Sequence, residues 1–322
     1  MTELISGWPA FIEERTWFTI GNFDGFHLGH QYLVNAVREK SQQEHASSTL
    51  LTFWPHPRVF LQHIKTAFYL TTKTEKLSLL RNAGLDRVIT LPFNQALANL
   101  SAEEFFERLS HHLNPAGLIV SENFVLGHNR EGTREVIEEI CRRRGIQFEV
   151  ISPYLLDGRL ISSQRIRSAL ALGEAEEVRR LLGRPYSLTD EVREGKHLGS
   201  KLGFPTANQI VDPMKLLPAY GVYATIAWLE GQPHMAVTSV GVRPTFENTD
   251  KPNVETLLLD FDGNIYHHKL TVQFLKRLRE ERKFENVEAL ISQIEEDKAQ
   301  ARRILTDGKF SPQGLSLKSQ DL

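Results

Sequence analysis

The sequence predicts an α/β domain built on a parallel sheet, followed by an antiparallel β-barrel or sandwich domain that ends in a helix. Three observations carry this. Over the first half, short apolar runs alternate with amphipathic helical stretches, the pattern of a parallel sheet covered on both faces. From about residue 186, short β-type runs follow one another between turn signals, as in a barrel or sandwich. Near 286–305 the charged residues return to helical spacing.

Element by element, Phe18, Thr19 and Ile20 form a strand. Gly21, Asn22, Asp24 and Gly25 turn the chain into a helix near 29–44. A strand near 48–53, a helix near 73–83 and a strand at 87–91 follow. Ser101 and Glu104 form a capping box before the next helix. GLIVS at 117–121 is a strand, Thr133 to Arg144 a helix stopped by Gly145, and IQFEVIS a fifth strand. FPTANQ, YGVYATIAWL, HMAVTSVGV, VETLLLDF and KLTVQFL are the β-type runs of the second half, with turns at Glu230-Gly231 and Asp262-Gly263. Gly183-Arg184-Pro185 marks the boundary, giving domains 1–185 and 186–310 and a tail 311–322.

Composition narrows the class. With 41% hydrophobic and 24% charged residues the chain is of globular type. A net charge of −2, with both signs mixed, provides no field to recruit nucleic acid. A single cysteine, Cys141, excludes an internal disulfide and fits a reducing compartment. No apolar run is long enough to span a bilayer, so a cytoplasmic protein without membrane partners is expected.

Residues 16–30 deliver His27 and His30 to a helix N-terminus directly after a buried strand. The first amides of a helix are unpaired and its macrodipole is positive there, so anions are attracted. Three residues apart, the two histidines share a helical face, and Gly29 between them leaves room for a ligand. An isolated pair at this spacing is commonly a surface or core feature, and zinc-binding pairs favour i, i+4 with an acidic third ligand. Here strand, glycines and helix agree on a phosphate site for nucleotide chemistry, with Gly21, Asn22, Phe23 and Gly29 as further binding candidates.

Other segments can join it. Phe53-Trp54-Pro55-His56-Pro57 follows the second strand, its prolines fixing the backbone and its aromatics offering a face to a planar ligand. The loop from Glu122 and Asn123 through Gly127, Arg130 and Gly132 either closes over a nucleotide or merely connects. Ser162 and Ser163 cap a helix bearing Arg165 and Arg167, of which one is expected to meet phosphate and the other solvent. In the second half, Gly195, Gly199, Gly203, Lys196 and Lys201 form a loop suited to cradling phosphate, without Walker spacing. Thr206 and Asn208 alternate on the next strand and share a face able to hold Mg²⁺ and phosphates; the alternative is a lysine-bearing hairpin with a polar edge. Glu255 lies in an apolar strand, either as a base for a hydroxyl proton or as an edge residue facing water. Arg279 lies in what is, by itself, a solvated charged stretch.

In order, GNFDGFHLGH at 21–30, FWPHP at 53–57, ENFVLGHNREG at 122–132 and ISSQRIR at 161–167 resemble the adenylyltransferase module of the prokaryotic bifunctional riboflavin kinase/FAD synthetase family. LGFPTAN, GVYAT, SVGVRPTF, VETLLLDF and LREERKF resemble its riboflavin kinase module, and the resemblance spans roughly residues 14–305. It implies a Rossmann-like nucleotidyltransferase domain and a mainly antiparallel β-barrel with a C-terminal helix. It also implies ATP as co-substrate, Mg²⁺, and riboflavin, FMN and FAD as substrates and products. His27 and His30 would donate to the ATP triphosphate, Arg167 or Arg165 would neutralise leaving pyrophosphate, and Ser163 would contact phosphate alone because Gln164 stands where threonine is usual. Pro55, His56, Pro57, Asn123 and Arg279 are the flavin-binding candidates. Gly195, Gly199 and Lys201 would bind nucleotide, Thr206 and Asn208 Mg²⁺-ATP, and Glu255 would deprotonate the ribityl 5′-hydroxyl. Trp54, Asp190, Ser200 and His267 depart from the usual Asp, Gly, Arg and Gly.

The last three departures motivate a competing expectation, an FAD synthetase whose kinase-like module only binds flavin or supports structure. A third reading, a class I aminoacyl-tRNA synthetase fragment, rests only on the HLGH-type turn and lacks a basic face.

Overall fold

The structure, a computed structural model, describes residues 1–194, 202–243 and 251–306. It divides into two compact units, Met1–Ser163 and Gln164–Leu322.

The apolar runs of the first unit become β1 (Glu3–Ser6), β2 (Ile12–Ile20), β3 (Ser47–Trp54), β4 (Arg87–Pro92), β5 (Leu113–Ser121) and β6 (Gln147–Ile151). Their helices are α1 (Leu28–Gln43), α2 (Pro57–Leu61), α3 (Lys73–Arg81), α4 (Gln95–Ala98), α5 (Ala102–Ser110) and α6 (Arg134–Arg143). The strands pair in parallel in the order β1-β4-β3-β2-β5-β6. β3 is buried along nearly its whole length because helices cover both faces. Side chains therefore alternate between two apolar layers: Phe18 and Leu51 pack on one side, Trp17 and Leu50 on the other. Trp17 lies so close to β5 that a Cβ on Gly117 would come within 2.4 Å of its ring. The expected capping box of α5 is present, and α3 carries another, from Thr72 and Glu75.

Strand order places the β2–α1 turn. The chain steps outward from β2 through β3 to β4, then returns to the far side of β2 as β5. Ligands of open α/β sheets sit beyond the carboxyl ends of the strands at such a reversal. A short hairpin, β7 (Leu155–Leu156) with β8 (Arg159–Leu160), follows β6.

α7 (Ser163–Leu172) opens on the last residue of the first unit, and α8 (Ala175–Leu182) follows it. β9 (Tyr186–Arg193), β10 (Ala207–Gln209), β11 (Gly221–Leu229), β12 (Gln232–Arg243), β13 (Lys251–Leu258) and β14 (Lys269–Arg279) close into an antiparallel barrel, with α9 (Val287–Thr306) packed outside. Alternation again sorts the residues. Val222, Ala224, Ile226 and Trp228 of β11 share an apolar cluster with Ala301 and Leu305 of α9. On the opposite face of the same strands, Thr225, Thr238 and Thr256 form a fully buried hydroxyl chain, with oxygens 2.8 and 3.0 Å apart. Each hydroxyl can donate to the next, so the polar atoms are satisfied without water.

The structure adds elements to those expected. β1 is an edge strand, β5 begins at Leu113 rather than 117, and β9 and the β7–β8 hairpin were not anticipated. No described helix is long and apolar enough to cross a membrane.

Candidate active sites

The turn after β2 is held from several directions. Asp24 is 3% exposed, and its carboxylate accepts the amides of Leu70 and Thr71 and the Thr71 hydroxyl at 3.1–3.3 Å. Its backbone carbonyl accepts the hydroxyl of Ser163 at 2.9 Å. Gly25, at φ +80°, is fitted so closely that a Cβ would lie 2.7 Å from Leu70. With the turn fixed, His27 becomes the N-cap of α1: its Nδ1 accepts the His30 amide at 3.3 Å. An Nδ1 used as acceptor leaves the proton of the neutral ring on Nε2, which makes that atom a donor. The His30 ring stacks on His27 with centroids 3.6 Å apart. Phe23, 1% exposed, abuts His30 edge-on and belongs to the core beneath it. The first turn of α1 has no acidic residue to compete with an anion.

The FWPHP segment is ordered in a similar way. His56 caps α2 through Nδ1, which accepts the Arg58 amide at 3.0 Å, and its own amide donates to the Tyr69 hydroxyl at 3.1 Å. The Trp54–Pro55 peptide is cis, and Trp54 stacks on Tyr69. Beyond the ends of β3 and β4 opens a cavity of about 440 Å³, walled by Phe53, Phe93, Leu97, Leu126 and Arg130 among others. The glycine-bearing loop therefore bounds this cavity through residues 126–130, with Asn129 and Arg130 at positive φ. Pro55, His56, Pro57 and Asn123 are not part of its wall. Phe93 and Leu97 were missed in the sequence, although Phe93 directly follows a strand and Phe53 is the next-to-last residue of one. Lys76 was missed as well: it is 4% exposed and donates from Nζ to the Phe53 carbonyl at 3.2 Å.

In the second unit, Arg165 is ion-paired with Glu177 at 2.6 Å and Arg167 is half-buried on the same helix. Gly195, Gly199, Lys201 and Ser200 lie outside the described residues. The barrel brings the other candidates together. Asn208 is the register partner of Glu255 across β10 and β13. Glu255 and Arg279 share a cavity of about 340 Å³ with Thr206, Ser239 and Phe284. Thr206 also lines a neighbouring cavity of about 230 Å³ with Phe261, Asp262 and Tyr266. Glu255 Oε1 accepts the Asn253 amide at 2.7 Å, which orients the carboxylate. Arg279 is fastened by three hydrogen bonds of 2.8–3.1 Å to Asp297, a 3% exposed carboxylate on α9. Asp190 lies in β9, in neither cavity wall, and its Oδ1 accepts the Glu191 amide at 2.8 Å. His267 Nδ1 lies 3.2 Å from Glu191.

A parallel α/β unit with an anion-accepting turn, followed by a barrel with a carboxylate and a hydroxyl in adjoining cavities, defines a two-module, nucleotide-using transferase. Family comparison agrees: a family model described as FAD synthetase matches residues 11–165, and one described as riboflavin kinase matches 182–305. Proteins named bifunctional riboflavin kinase/FMN adenylyltransferase are similar over most of both chains. The Pseudomonas fluorescens protein is 38% identical over 89% of this chain and 92% of its own. The Escherichia coli K12 protein is 32% identical over 90% and 93%. A crystal structure described as a macrolide-efflux protein from Streptococcus pneumoniae superposes with a TM-score of 0.84 at 26% identity, over 93% of this chain and 98% of that one.

The chain belongs to the bifunctional riboflavin kinase/FMN adenylyltransferase family. It uses ATP to phosphorylate riboflavin to FMN and to adenylylate FMN to FAD, with release of pyrophosphate. Nothing in the fold or the comparisons favours a kinase-like module without turnover.

Proposed function

We propose that the β2–α1 turn is the adenylyl-transfer centre and the paired barrel cavities the kinase centre, within functional modules 1–185 and 186–310. In the first module the FMN phosphate attacks the α-phosphorus of ATP in line and pyrophosphate departs. No covalent enzyme intermediate is needed, so catalysis is positioning and stabilisation of charge on the phosphoryl oxygens. His27 and His30 donate to the triphosphate, Ser163 holds the turn, and Arg167 neutralises the pyrophosphate while Arg165 is engaged by Glu177. Gly21, Asn22 and Gly29 allow close approach of the nucleotide. The aromatic cavity beyond β3 and β4 has the size and apolar walls to take the flavin ring.

In the barrel, Glu255 takes the proton of the ribityl 5′-hydroxyl, whose oxygen attacks the γ-phosphorus of ATP; ADP is the leaving group. The cavity holding Glu255 and Arg279 takes riboflavin, and the one lined by Tyr266 and Asp262 takes the nucleotide. That Thr206 lines both cavities is the observation that carries this reading. On this reading one hydroxyl-bearing residue stands where the two substrates would meet.

Mg²⁺ fits this donor set. Among the described residues no cluster of three His, Cys, Asp or Glu is positioned for a metal, whereas a threonine hydroxyl and an asparagine carbonyl are the hard oxygen donors that accompany a phosphate-borne Mg²⁺. Thr206 and Asn208 would hold the ion, which supplies neutralisation of phosphate charge. A cytoplasmic location agrees with a single, buried cysteine. Incubation with riboflavin, ATP and Mg²⁺, with products resolved by chromatography, tests the assignment: FMN appears first and FAD second. With FMN supplied for the second step, Glu255→Gln must block only FMN formation and His30→Ala only FAD formation. Loss of both activities in either variant, each assayed on its own substrate, refutes the division of labour.

A further inference from the structure

Lys76 stands one turn inside α3 and is 4% exposed. Taking an ammonium out of water is costly unless it is paired, so its partners indicate its role. Nζ donates to the Phe53 carbonyl at 3.2 Å, at the carboxyl end of β3. Asp24 acts on it electrostatically from the glycine turn. The end of β3 offers a carbonyl and no charge, and on α3 Glu75 is turned back onto the Thr72 amide. The segment leading into α3 contributes the Leu70 and Thr71 amides and the Thr71 hydroxyl, all donated to the same Asp24 carboxylate. Three pieces thus meet around one ammonium: the turn that carries His27 and His30, the strand end that leads to His56, and the start of a helix.

We propose that Lys76 is a positioning residue of the adenylyl-transfer site, tying the turn of Asp24 to the end of β3 so that the His27–His30 pair and the His56 segment keep a fixed spacing. This rests on the assignment of adenylyl transfer to that turn. An apolar side chain of similar length would fill the same volume without the desolvation cost, so filling space does not account for a lysine here. Burial brings the ammonium down to about 7, with Asp24 opposing, so the strength of the tie changes across neutral pH.

The test uses full-length Lys76→Met and Lys76→Gln, each assayed for FMN formation from riboflavin and ATP and for FAD formation from FMN and ATP, across the neutral range of pH. In Lys76→Met, kcat for FAD formation is expected to fall about 10²-fold, the scale of a small misplacement of reacting groups. FMN formation in the same preparation is expected to be unchanged, which reports a folded chain. The wild-type kcat profile for FAD formation is expected to inflect near pH 7, and that inflection is expected to vanish in both variants. Wild-type FAD formation in the Met variant, or an unaltered inflection in the Gln variant, overturns the proposal. Parallel loss of both activities in both variants also overturns it, by making Lys76 a support of the fold alone. A wild-type chain that forms no FAD from FMN would remove the underlying assignment instead.

Discussion

His27 and His30 lie ring on ring, 3.6 Å between centroids, and the Nδ1 of the first accepts the backbone amide of the second. The pair is therefore part of the helix start itself, and its geometry is set before any ligand arrives. His30→Ala removes one donor and leaves the cap intact, since the cap uses only the backbone of residue 30. FAD formation is expected to drop on the order of 10²–10³-fold, as for loss of one preorganised donor. FMN formation and the thermal midpoint stay close to wild type. Chromatography of both products and a thermal melt check this.

Glu255→Gln retains shape and the contact from Asn253, whose partner oxygen remains an acceptor. It removes the proposed base. FMN formation is expected to fall by about 10²–10⁴-fold, the usual contribution of a positioned general base, while FAD formation from supplied FMN persists. A Gln variant that still phosphorylates riboflavin at the wild-type rate would assign the proton to another acceptor.

Arg279 and Asp297 join β14 to α9 through a carboxylate that is 3% exposed. Arg279→Met leaves Asp297 with the Gln293 amide at 3.0 Å and no counter-charge. Breaking one side of a buried pair costs about 3 kcal/mol or more, so the midpoint of chemical denaturation falls measurably. The double variant Arg279→Met/Asp297→Leu is expected to recover much of the loss, because the stranded charge is gone. A single variant as stable as wild type would show that the pair does not stabilise the barrel.

Lys76 also makes a pH prediction for stability. Its folded value of about 7 lies below the ordinary 10.5, because desolvation outweighs Asp24. Between these values the unfolded chain binds more protons than the folded one, so stability attributable to this residue rises with pH there. Below pH 7 both states are charged and the full burial cost is present. Relative to wild type, Lys76→Met is therefore favoured most at or below neutrality and loses ground steadily towards pH 10.5. Denaturation curves of the two proteins at several pH values give the sign directly.

The strand–turn–helix at the head of the chain, the alternation of the first half and the β-rich second half were legible because their signals are local. Gly25 and the Ser101 capping box could be read from spacing alone. What escaped was built by distant pairs. β1 is an edge strand recognisable only through its parallel partner β4, more than eighty residues on. β9 carries Thr189, Asp190 and Glu191, and its polar texture hides a strand closed between β10 and β14. Lys76 and Asp297 read as ordinary charges on amphipathic helices, and only folding brings the first to Phe53 and the second to Arg279. Asp190 departs from the usual glycine, and only the folded strand shows its carboxylate accepting the next amide along the chain.

Thr206 belongs to the walls of two cavities, and this bears on how the barrel can be altered. If the two cavities take nucleotide and flavin as proposed, a substitution there alters both at once, because one residue is common to both walls. Changes of specificity have to come from residues confined to one chamber, such as Tyr266 on one side and Phe284 on the other. The wall that the two cavities share is then the part of the barrel least open to drift.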